Sequence, residues 1–191
     1  MALMSIRIAQ DSTADQVLTD DPFALLMGML LDQQFPMERA FMAPAKVLDR
    51  FGTLDPAAIA QADPERFKEL CSMPPAIHRF PGSMAARIQE LAAIVSEEYG
   101  GDASRIWTQA KDGADLLRRL QALPGFGKQK AQIFLALVAK QLGVRPAGWE
   151  SAAGDYALEG YRSVADVTDP ESLQKVRDFK QAAKAKARAA K

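Results

Sequence analysis

The sequence predicts an all-α protein, and three observations support this. Apolar residues recur at three- and four-residue spacing over long stretches, and no stretch shows the alternation typical of a strand. The pair Asp-Pro occurs four times, at 21–22, 55–56, 63–64 and 169–170, each time before residues that favour helices. Asp caps the free N–H groups of a first turn, and Pro fits there because it has no N–H to satisfy.

Eight helices follow from these caps and spacings. Pro44 is expected to kink or restart the second helix, and Gly100-Gly101 is expected to end the fifth. The stretch 143–169 has no clear period and predicts a loop with room for one short helix. The predicted helices cover residues 22–33, 37–50, 56–62, 64–70, 83–99, 113–122, 127–142 and 170–188.

Two of these helices differ in how their apolar residues are arranged. Helix 22–33 is apolar almost all round, so we expect it to run through the core. Helix 83–99 carries one apolar stripe, which includes Ile88, Leu91 and Val95. That stripe is typical of a helix packed on the surface of a core.

The composition is that of a globular protein, with 191 residues, 48% hydrophobic and 25% charged. Cys71 is the only cysteine, so the chain can form neither an internal disulfide nor a four-cysteine iron–sulfur or zinc site. A single thiol and no signal peptide predict a cytoplasmic protein. The longest apolar run, 23–31, is too short to cross a bilayer, and no membrane association is expected.

The charge is distributed unevenly although the formal net charge is zero. Residues 176–191 carry six basic side chains and one acidic, a net charge of +5, so residues 1–175 carry 18 basic and 23 acidic side chains, a net charge of −5. Such a basic end could meet a polyanion. A helix that only improves solubility is the alternative.

The most informative segment runs from Leu116 to Leu137 and contains Leu-Pro-Gly-Phe-Gly-Lys. Apolar residues before and after this motif predict two helices that pack on each other and hold the turn between them. Gly125 and Gly127 permit torsions and close approaches that a side chain would obstruct. Free N–H groups at the start of the second helix, with Lys128 and Lys130, suit a phosphate oxygen. An ordinary helical hairpin is the alternative.

Residues 20–150 resemble the helix-hairpin-helix (HhH-GPD) superfamily of base-excision DNA glycosylases, on this hairpin and on the segment from Asp21 to Gln34. The resemblance implies a two-lobed helical bundle that binds double-stranded DNA, without an iron–sulfur cluster. The predicted organisation is one such domain over 20–165, with its hairpin at 114–142, followed by a basic helix or tail over 166–191. We expect a monomer associated with the nucleoid.

The resemblance also implies which residues contact DNA. In relatives, a residue of the turn after the opening helix probes or fills the gap left by a flipped base, and Gln34 is the best match, with Gln33 beside it. Two amides that only satisfy a helix end are the alternative. The expected DNA-binding residues are Gly125, Phe126, Gly127, Lys128, Gln129, Lys130, Gln33 and Gln34.

Two further side chains are candidates for the base pocket. Trp149 could stack on a flipped base. His78, the only histidine, lies in a segment, 73–88, that looks like the family's loop and helix before the hairpin. Each has an ordinary alternative, a packed Trp and a structural His.

The catalytic positions depart from the family's pattern. Relatives that cut the strand use a lysine two residues after the second hairpin glycine, where this chain has Gln129. Lys128 and Lys130 flank it, but a shift of one residue rotates a side chain by about 100°. Lyase activity is therefore not expected. The family's catalytic aspartate lies beyond the second hairpin helix, where Glu150 is the nearest acid and Asp155 the next.

Three functions remain open from the sequence. The first is a monofunctional glycosylase that hydrolyses the N-glycosidic bond of a damaged or mismatched base, with Glu150 or Asp155 as the carboxylate. The second is a DNA-binding or lesion-sensing protein without activity, and the third is an unrelated helical interaction protein. No cofactor is expected except a monovalent cation, K⁺ or Na⁺, which the resemblance places on the carbonyl groups of Gln121, Leu123 and Phe126.

Overall fold

The computed structural model describes residues 5–191, and within this range the chain is helical without a strand. Eleven α-helices and two 3₁₀ turns, Gly154–Ala157 and Val164–Asp166, occur in this range. The α-helices are α1 Ser12–Asp20, α2 Pro22–Leu31, α3 Met37–Phe51, α4 Pro56–Gln61, α5 Pro64–Ser72, α6 Pro81–Glu98, α7 Arg105–Thr108, α8 Gly113–Gln121, α9 Lys128–Gln141, α10 Trp149–Ala153 and α11 Pro170–Ala189.

The Asp-Pro pairs begin helices as predicted. In each of α2, α4, α5 and α11, the Asp side chain accepts a hydrogen bond from a backbone N–H of the first turn, and Pro is the first helical residue. All eight predicted helices are present within a few residues of their expected bounds. Four of the eight predicted helices therefore begin at a cap formed by residues adjacent in the chain.

Two helices, α1 and α7, were not predicted, and the restart considered at Pro44 does not occur. Helix α1 carries mostly polar residues, and α7 is a single turn of four residues, too short to show a period. Helix α10 is the short helix for which the stretch 143–169 left room. Helix α3 runs unbroken through Pro44, with no restart. Phe41 and Val47, both buried, pack this helix into the core on either side of the proline. This packing offsets the lost hydrogen bond.

The helices form two lobes. Helices α1–α6 pack on one another in the first lobe. In the second, α8, α10 and the two 3₁₀ turns pack on α9, while α7 packs on α8 and α11 on the turn Val164–Asp166. Helix α2 crosses the first lobe with every residue from Phe23 to Leu31 buried, as its composition predicts. A Cβ on Gly28 would lie 2.4 Å from the Phe41 ring, so glycine is what lets α2 and α3 approach.

The second lobe is completed by the segment after α9. The buried Gln141 amide donates to the carbonyls of Val164, Ala165 and Val167. Helix α11 then begins at Pro170 and packs through Leu173 and Val176, while its last nine residues are exposed. The predicted division between 165 and 166 falls inside the 3₁₀ turn Val164–Asp166 and stays a prediction.

The lobes meet where the hairpin turn contacts the end of α2. A Cβ on Gly125 would lie 2.7 Å from Leu30 Cδ1, and Lys130 Nζ donates to the Leu30 carbonyl at 3.0 Å. An ion pair between Arg177 of α11 and Glu38 of α3 joins the lobes at a second point. Between these two junctions an open cleft remains. Among the described residues, no helix has the length and hydropathy to cross a bilayer.

Candidate nucleic-acid interface

The hairpin turn between α8 and α9 lies on the surface. Gly125, Gly127 and Lys128 are exposed, whereas Leu123 and Phe126 are buried beneath them. The Phe126 ring packs edge-on against Phe134 of α9, with 6.2 Å between ring centroids. The two buried side chains thus anchor a turn whose backbone faces outward, as expected from the sequence.

The two hairpin glycines have different roles. Gly125 has φ +77°, and its neighbour Leu30 leaves no room for a side chain, so both torsion and packing require glycine there. Gly127 has φ −72°, which any residue can adopt, and a Cβ there would meet nothing within 4 Å. The expectation that Gly127 supplies a special torsion was therefore wrong. Only a group approaching from outside would require a glycine at 127.

The start of α9 presents free backbone donors at this turn. The first helical bond runs from the N–H of Ala131 to the carbonyl of Gly127, and Gly127 has no side chain with which to cap the helix. The preceding N–H groups therefore face solvent at the positive end of the helix dipole. This arrangement is the one that binds phosphate oxygens at helix N-termini.

The cleft between the lobes opens beside this turn. Its volume is about 780 Å³, within the range of about 300–1,000 Å³ typical of ligand sites. The turn after α2, the first turns of α9 and the exposed half of α11 form its walls. The polar side chains that line it include Asp32, Gln34, Gln129, Lys130, Tyr156 and Lys180.

Gln129 and Lys130, predicted from the hairpin to contact DNA, both line the cleft. The Gln129 amide donates to the Tyr156 hydroxyl at 2.9 Å. Lys130 is half-buried, and this burial lowers the pKa of its amine to about 8, although the charge of Asp32 acts in the opposite direction. Its Nζ lies 5.9 Å from the centre of the Phe126 ring. Lys130 therefore belongs to the cleft, and Lys128 to the exposed turn.

Asp32 is a half-buried carboxylate in the same cleft. Burial raises its pKa, while the nearby charges of Lys180 and Lys130 lower it and that of Glu38 raises it further. Among the described residues, its side chain has neither a hydrogen bond nor an ion pair. Because no protein group is bonded to this carboxylate, its oxygens are available to interact with a bound ligand.

The turn that carries Gln33 and Gln34 is supported by His78. His78 Nε2 donates to the Gln33 carbonyl at 3.0 Å, and its Nδ1 accepts from the Phe80 N–H at 3.0 Å. This pair of bonds requires the neutral ring, and burial lowers the pKa of His78. Gln34 is exposed with φ +52°, a strained torsion for a residue other than glycine, and lies in the cleft.

The remaining candidates lie elsewhere. Trp149 is buried in the second lobe beneath Arg145, with 5.6 Å from the guanidinium carbon to the ring centre. Glu150 and Asp155 are exposed, and neither lines the cleft. His78 is buried behind the glutamine turn rather than in the cleft wall. The catalytic roles of the two acids and the base-pocket roles of Trp149 and His78 stay predictions without support from a cleft contact.

Helix α11 adds basic charge to the cleft. Lys180, Ala183, Lys184 and Ala187 line it, at the spacing of one helix face. Arg162 lies over the Phe179 ring, 5.4 Å from its centre, at the same wall. Three of the six basic residues counted in 176–191 thus line the cleft, namely Arg177, Lys180 and Lys184.

The turn carbonyls fit a monovalent cation in chemical type. Carbonyl oxygens are hard ligands, and the Leu123 carbonyl accepts one bond from the Phe126 N–H, which leaves it a second lone pair. Gln121, Leu123 and Phe126 would hold the ion, which would neutralise phosphate charge at the turn. No group of three or more His, Cys, Asp or Glu side chains within residues 5–191 suits another metal site.

Sequence reasoning missed Asp32, Tyr156 and the cleft face of α11. Asp32 is a charged residue directly after a helix that is apolar all round, and this contrast was the available signal. Nothing in the spacing along the chain brings Lys130 or Lys180 next to it. That proximity depends on how the lobes pack.

Comparison with known protein families gives one match. The family described as HhH-GPD superfamily base excision DNA repair protein matches residues 27–190. Comparisons with curated proteins and with solved structures find no match. The match includes the glutamine turn, the hairpin and α11, and therefore all walls of the cleft.

Proposed function

Because this chain belongs to the HhH-GPD superfamily of base excision DNA repair proteins, we propose that it is a monofunctional DNA glycosylase acting in the cleft between its lobes. The observation that carries the proposal is the hairpin turn, whose free backbone N–H groups border a cleft of about 780 Å³. The turn would hold a phosphate while a nucleotide enters the cleft. Enzymes that act on a base within a duplex must extrude it in this way.

Each wall of the cleft supports one part of this reaction. The N–H groups of α9 and Lys128 would grip the strand without reading its sequence. Gln34, held in a strained torsion, would enter the gap that the extruded nucleotide leaves. Tyr156 and Phe179 offer aromatic surface to the base.

A monofunctional enzyme is favoured because Gln129 occupies the lysine position of strand-cutting relatives and is hydrogen-bonded to Tyr156. Hydrolysis of the N-glycosidic bond passes through a cationic sugar that a carboxylate stabilises. Glu150 and Asp155 are the acids expected from the resemblance. The cation at the turn, the monomeric state and the nucleoid association belong to the same proposal.

A base-release assay tests the proposal. Duplexes with uracil, an alkylated base, an oxidised base or a mismatch are incubated with the wild-type chain and with Glu150→Gln and Asp155→Asn. Release of one base, at a rate that saturates with enzyme, supports a glycosylase. Absence of release from every duplex contradicts it, and loss of release in one variant identifies the carboxylate.

A DNA-binding protein without activity is the second candidate, favoured by the position of Glu150 and Asp155 outside the cleft. Duplex affinity as a function of salt separates it from an unrelated helical protein. A phosphate-binding hairpin loses affinity steeply as salt rises, and Lys128→Ala should make the slope of log K against log salt shallower by about 1. Lys111→Ala is the control. Lys111 is exposed and precedes the first residue of α8, at the end of that helix opposite the hairpin turn, so its removal should leave the slope unchanged.

A further inference from the structure

Asp32 lies where the fold itself disfavours a carboxylate. It follows α2 directly, so it sits at the negative end of that helix's dipole. It is half-buried, and the cleft around it also contains the apolar side chains of Met29, Phe35 and Ile133. Without a hydrogen bond or ion pair in the described residues, its charge is not compensated by direct contact. Partial burial and the helix dipole both disfavour the charged form, so ionisation at this position costs stability.

A cost of this kind is common at functional sites, where chemistry requires a group that folding alone would not select. The lysines of the cleft fit this interpretation. Lys130 from α9 and Lys180 from α11 favour the ionised form of Asp32, and Glu38 from α3 opposes it. Lys130 donates its hydrogen bond to the Leu30 carbonyl and not to Asp32. Its charge therefore lowers the pKa of Asp32 without a direct bond to the carboxylate.

We infer that Asp32, and neither Glu150 nor Asp155, is the carboxylate that stabilises the sugar cation during base release. The inference rests on the proposed glycosylase function. It assigns a catalytic role to a residue on the first lobe, directly beside the glutamine turn expected to enter the duplex. Gln34 would fill the gap that the extruded nucleotide leaves in the duplex, and Asp32 would face the sugar of that nucleotide.

The reaction balances with water as the only co-reactant. The bond between C1′ and the base nitrogen breaks, and its electron pair leaves with the base, which takes up a proton. The cation left at C1′ lies against the ionised Asp32 carboxylate, and the largely apolar surroundings strengthen this attraction. Water then adds to C1′ and loses a proton, so the products are the free base and an abasic sugar.

The decisive variant is Asp32→Asn, which keeps shape and removes charge. Under single-turnover conditions on the duplex that the wild type processes best, the rate of base release should fall about 10²-fold or more. Glu90→Gln, an exposed acid outside the cleft, is the control and should stay within about threefold of wild type. Loss of release in Glu150→Gln or Asp155→Asn, with Asp32→Asn at the wild-type rate, overturns the assignment. Unfolding by urea should show Asp32→Asn at least as stable as wild type, so a loss of rate does not reflect a loss of fold.

A binding measurement gives a readout that does not depend on turnover. The probes are two duplexes with abasic analogues, one with a protonated pyrrolidine ring that mimics the sugar cation and one with a neutral tetrahydrofuran ring. Wild type should bind the charged analogue about tenfold or more tightly than the neutral one, as expected for a mimic of the transition state. Asp32→Asn should bind both alike, because the carboxylate charge is gone.

The outcomes separate the two proposals. Wild-type base release that survives Asp32→Asn, with the preference for the charged analogue intact, overturns the assignment and leaves the glycosylase proposal standing. Absence of wild-type release from every duplex overturns the glycosylase proposal and the assignment with it. Loss of both rate and preference in Asp32→Asn alone supports the assignment.

Discussion

Lys130 is the residue whose chemistry differs most from what its position in the hairpin suggests. It belongs to a motif that binds phosphate, yet its amine is half-buried and bonded to the Leu30 carbonyl on the other lobe. Burial lowers its pKa to about 8, and the charge of Asp32 limits this decrease. The charge of Asp32 therefore favours the protonated form of Lys130, and the charge of Lys130 favours the ionised form of Asp32.

Removing the carboxylate charge should make the Lys130 amine titrate at a still lower pH. In Asp32→Asn the pKa of Lys130 should fall below about 8, because the interaction that raises it is lost while burial remains. Titration of the Lys130 side chain by NMR measures this directly. Asp155→Asn, which lies outside the cleft, is the control and should leave the Lys130 titration where it is in wild type. An unchanged pKa in Asp32→Asn would show that the two groups do not interact.

The same burial predicts how stability depends on pH. Between about pH 8 and 10.5 the unfolded chain binds a proton at Lys130 that the folded chain has lost, so this residue makes the free energy of unfolding rise with pH in that window. Lys130→Met should remove that part of the rise. Urea unfolding of both proteins at several pH values gives the difference, and parallel profiles would contradict the prediction.

Substitutions at the two hairpin glycines should affect different properties, stability at Gly125 and duplex binding at Gly127. Gly125→Ala should lower the free energy of unfolding by about 1–3 kcal/mol, because it places a side chain in a left-handed torsion and against Leu30. Gly127→Ser should keep or raise stability, because Ser is a better helix cap and the space is open. It should nevertheless weaken duplex binding by obstructing the phosphate. Denaturation and duplex titration distinguish the two effects, and equal stability losses would refute the distinction.

Among the secondary-structure elements, α11 shows how one helix can serve two purposes. Its first turns are buried through Leu173 and Val176, and its remainder is exposed along the cleft. Lysines on the cleft face add to the positive potential that a DNA backbone meets, and lysines on other faces contribute less. The helix thus closes the second lobe at one end and extends the DNA surface at the other.

Two lysines of α11 form a matched pair for testing this. Lys184 lines the cleft, whereas Lys186, two residues later, does not. Lys184→Gln should weaken duplex binding more than Lys186→Gln and should make the salt dependence shallower by about 1. Both positions are exposed, so stability should not change. Equal effects of the two substitutions would mean that α11 acts only through its total charge.

At the scale of the whole molecule, two contacts between the lobes border the cleft, the hairpin against α2 and the ion pair between Arg177 and Glu38. Glu38 Oε2 is buried without a hydrogen-bond partner in the described residues, so Arg177 provides the main compensation for that charge. Because the pair borders the cleft, it also sets the position of α11 relative to the glutamine turn.

Breaking this pair should destabilise the whole molecule. Arg177→Gln should lower the free energy of unfolding by about 1 kcal/mol, because one carboxylate loses its partner while remaining partly buried. Adding Glu38→Gln should restore most of the loss. A double-mutant cycle measured by urea unfolding isolates the pair, and additive single effects would show that it contributes nothing.

The features that depend on residues close together in the chain could be predicted from the sequence. The Asp-Pro caps, the apolar helix α2 and the hairpin around Gly125 each depend on residues close in the chain, and periodicity and capping report such neighbours directly. The family resemblance, carried by the same local motifs, is confirmed over residues 27–190. The polar helix α1 was not predicted, and α3 does not restart at Pro44, because tertiary packing outweighs weak or contrary local preference there.

The candidate site, in contrast, was decided by the tertiary structure. Asp32, Lys130 and Lys180 come from three helices or their ends, and only the packing of the two lobes brings their charges together. The same packing leaves Glu150 and Asp155 outside the cleft, although counting along the chain selected them. Spacing along a chain specifies which residues share a turn or a helix face. Burial and electric field depend on every element that surrounds a group, and these set the protonation and reactivity of a carboxylate or an amine.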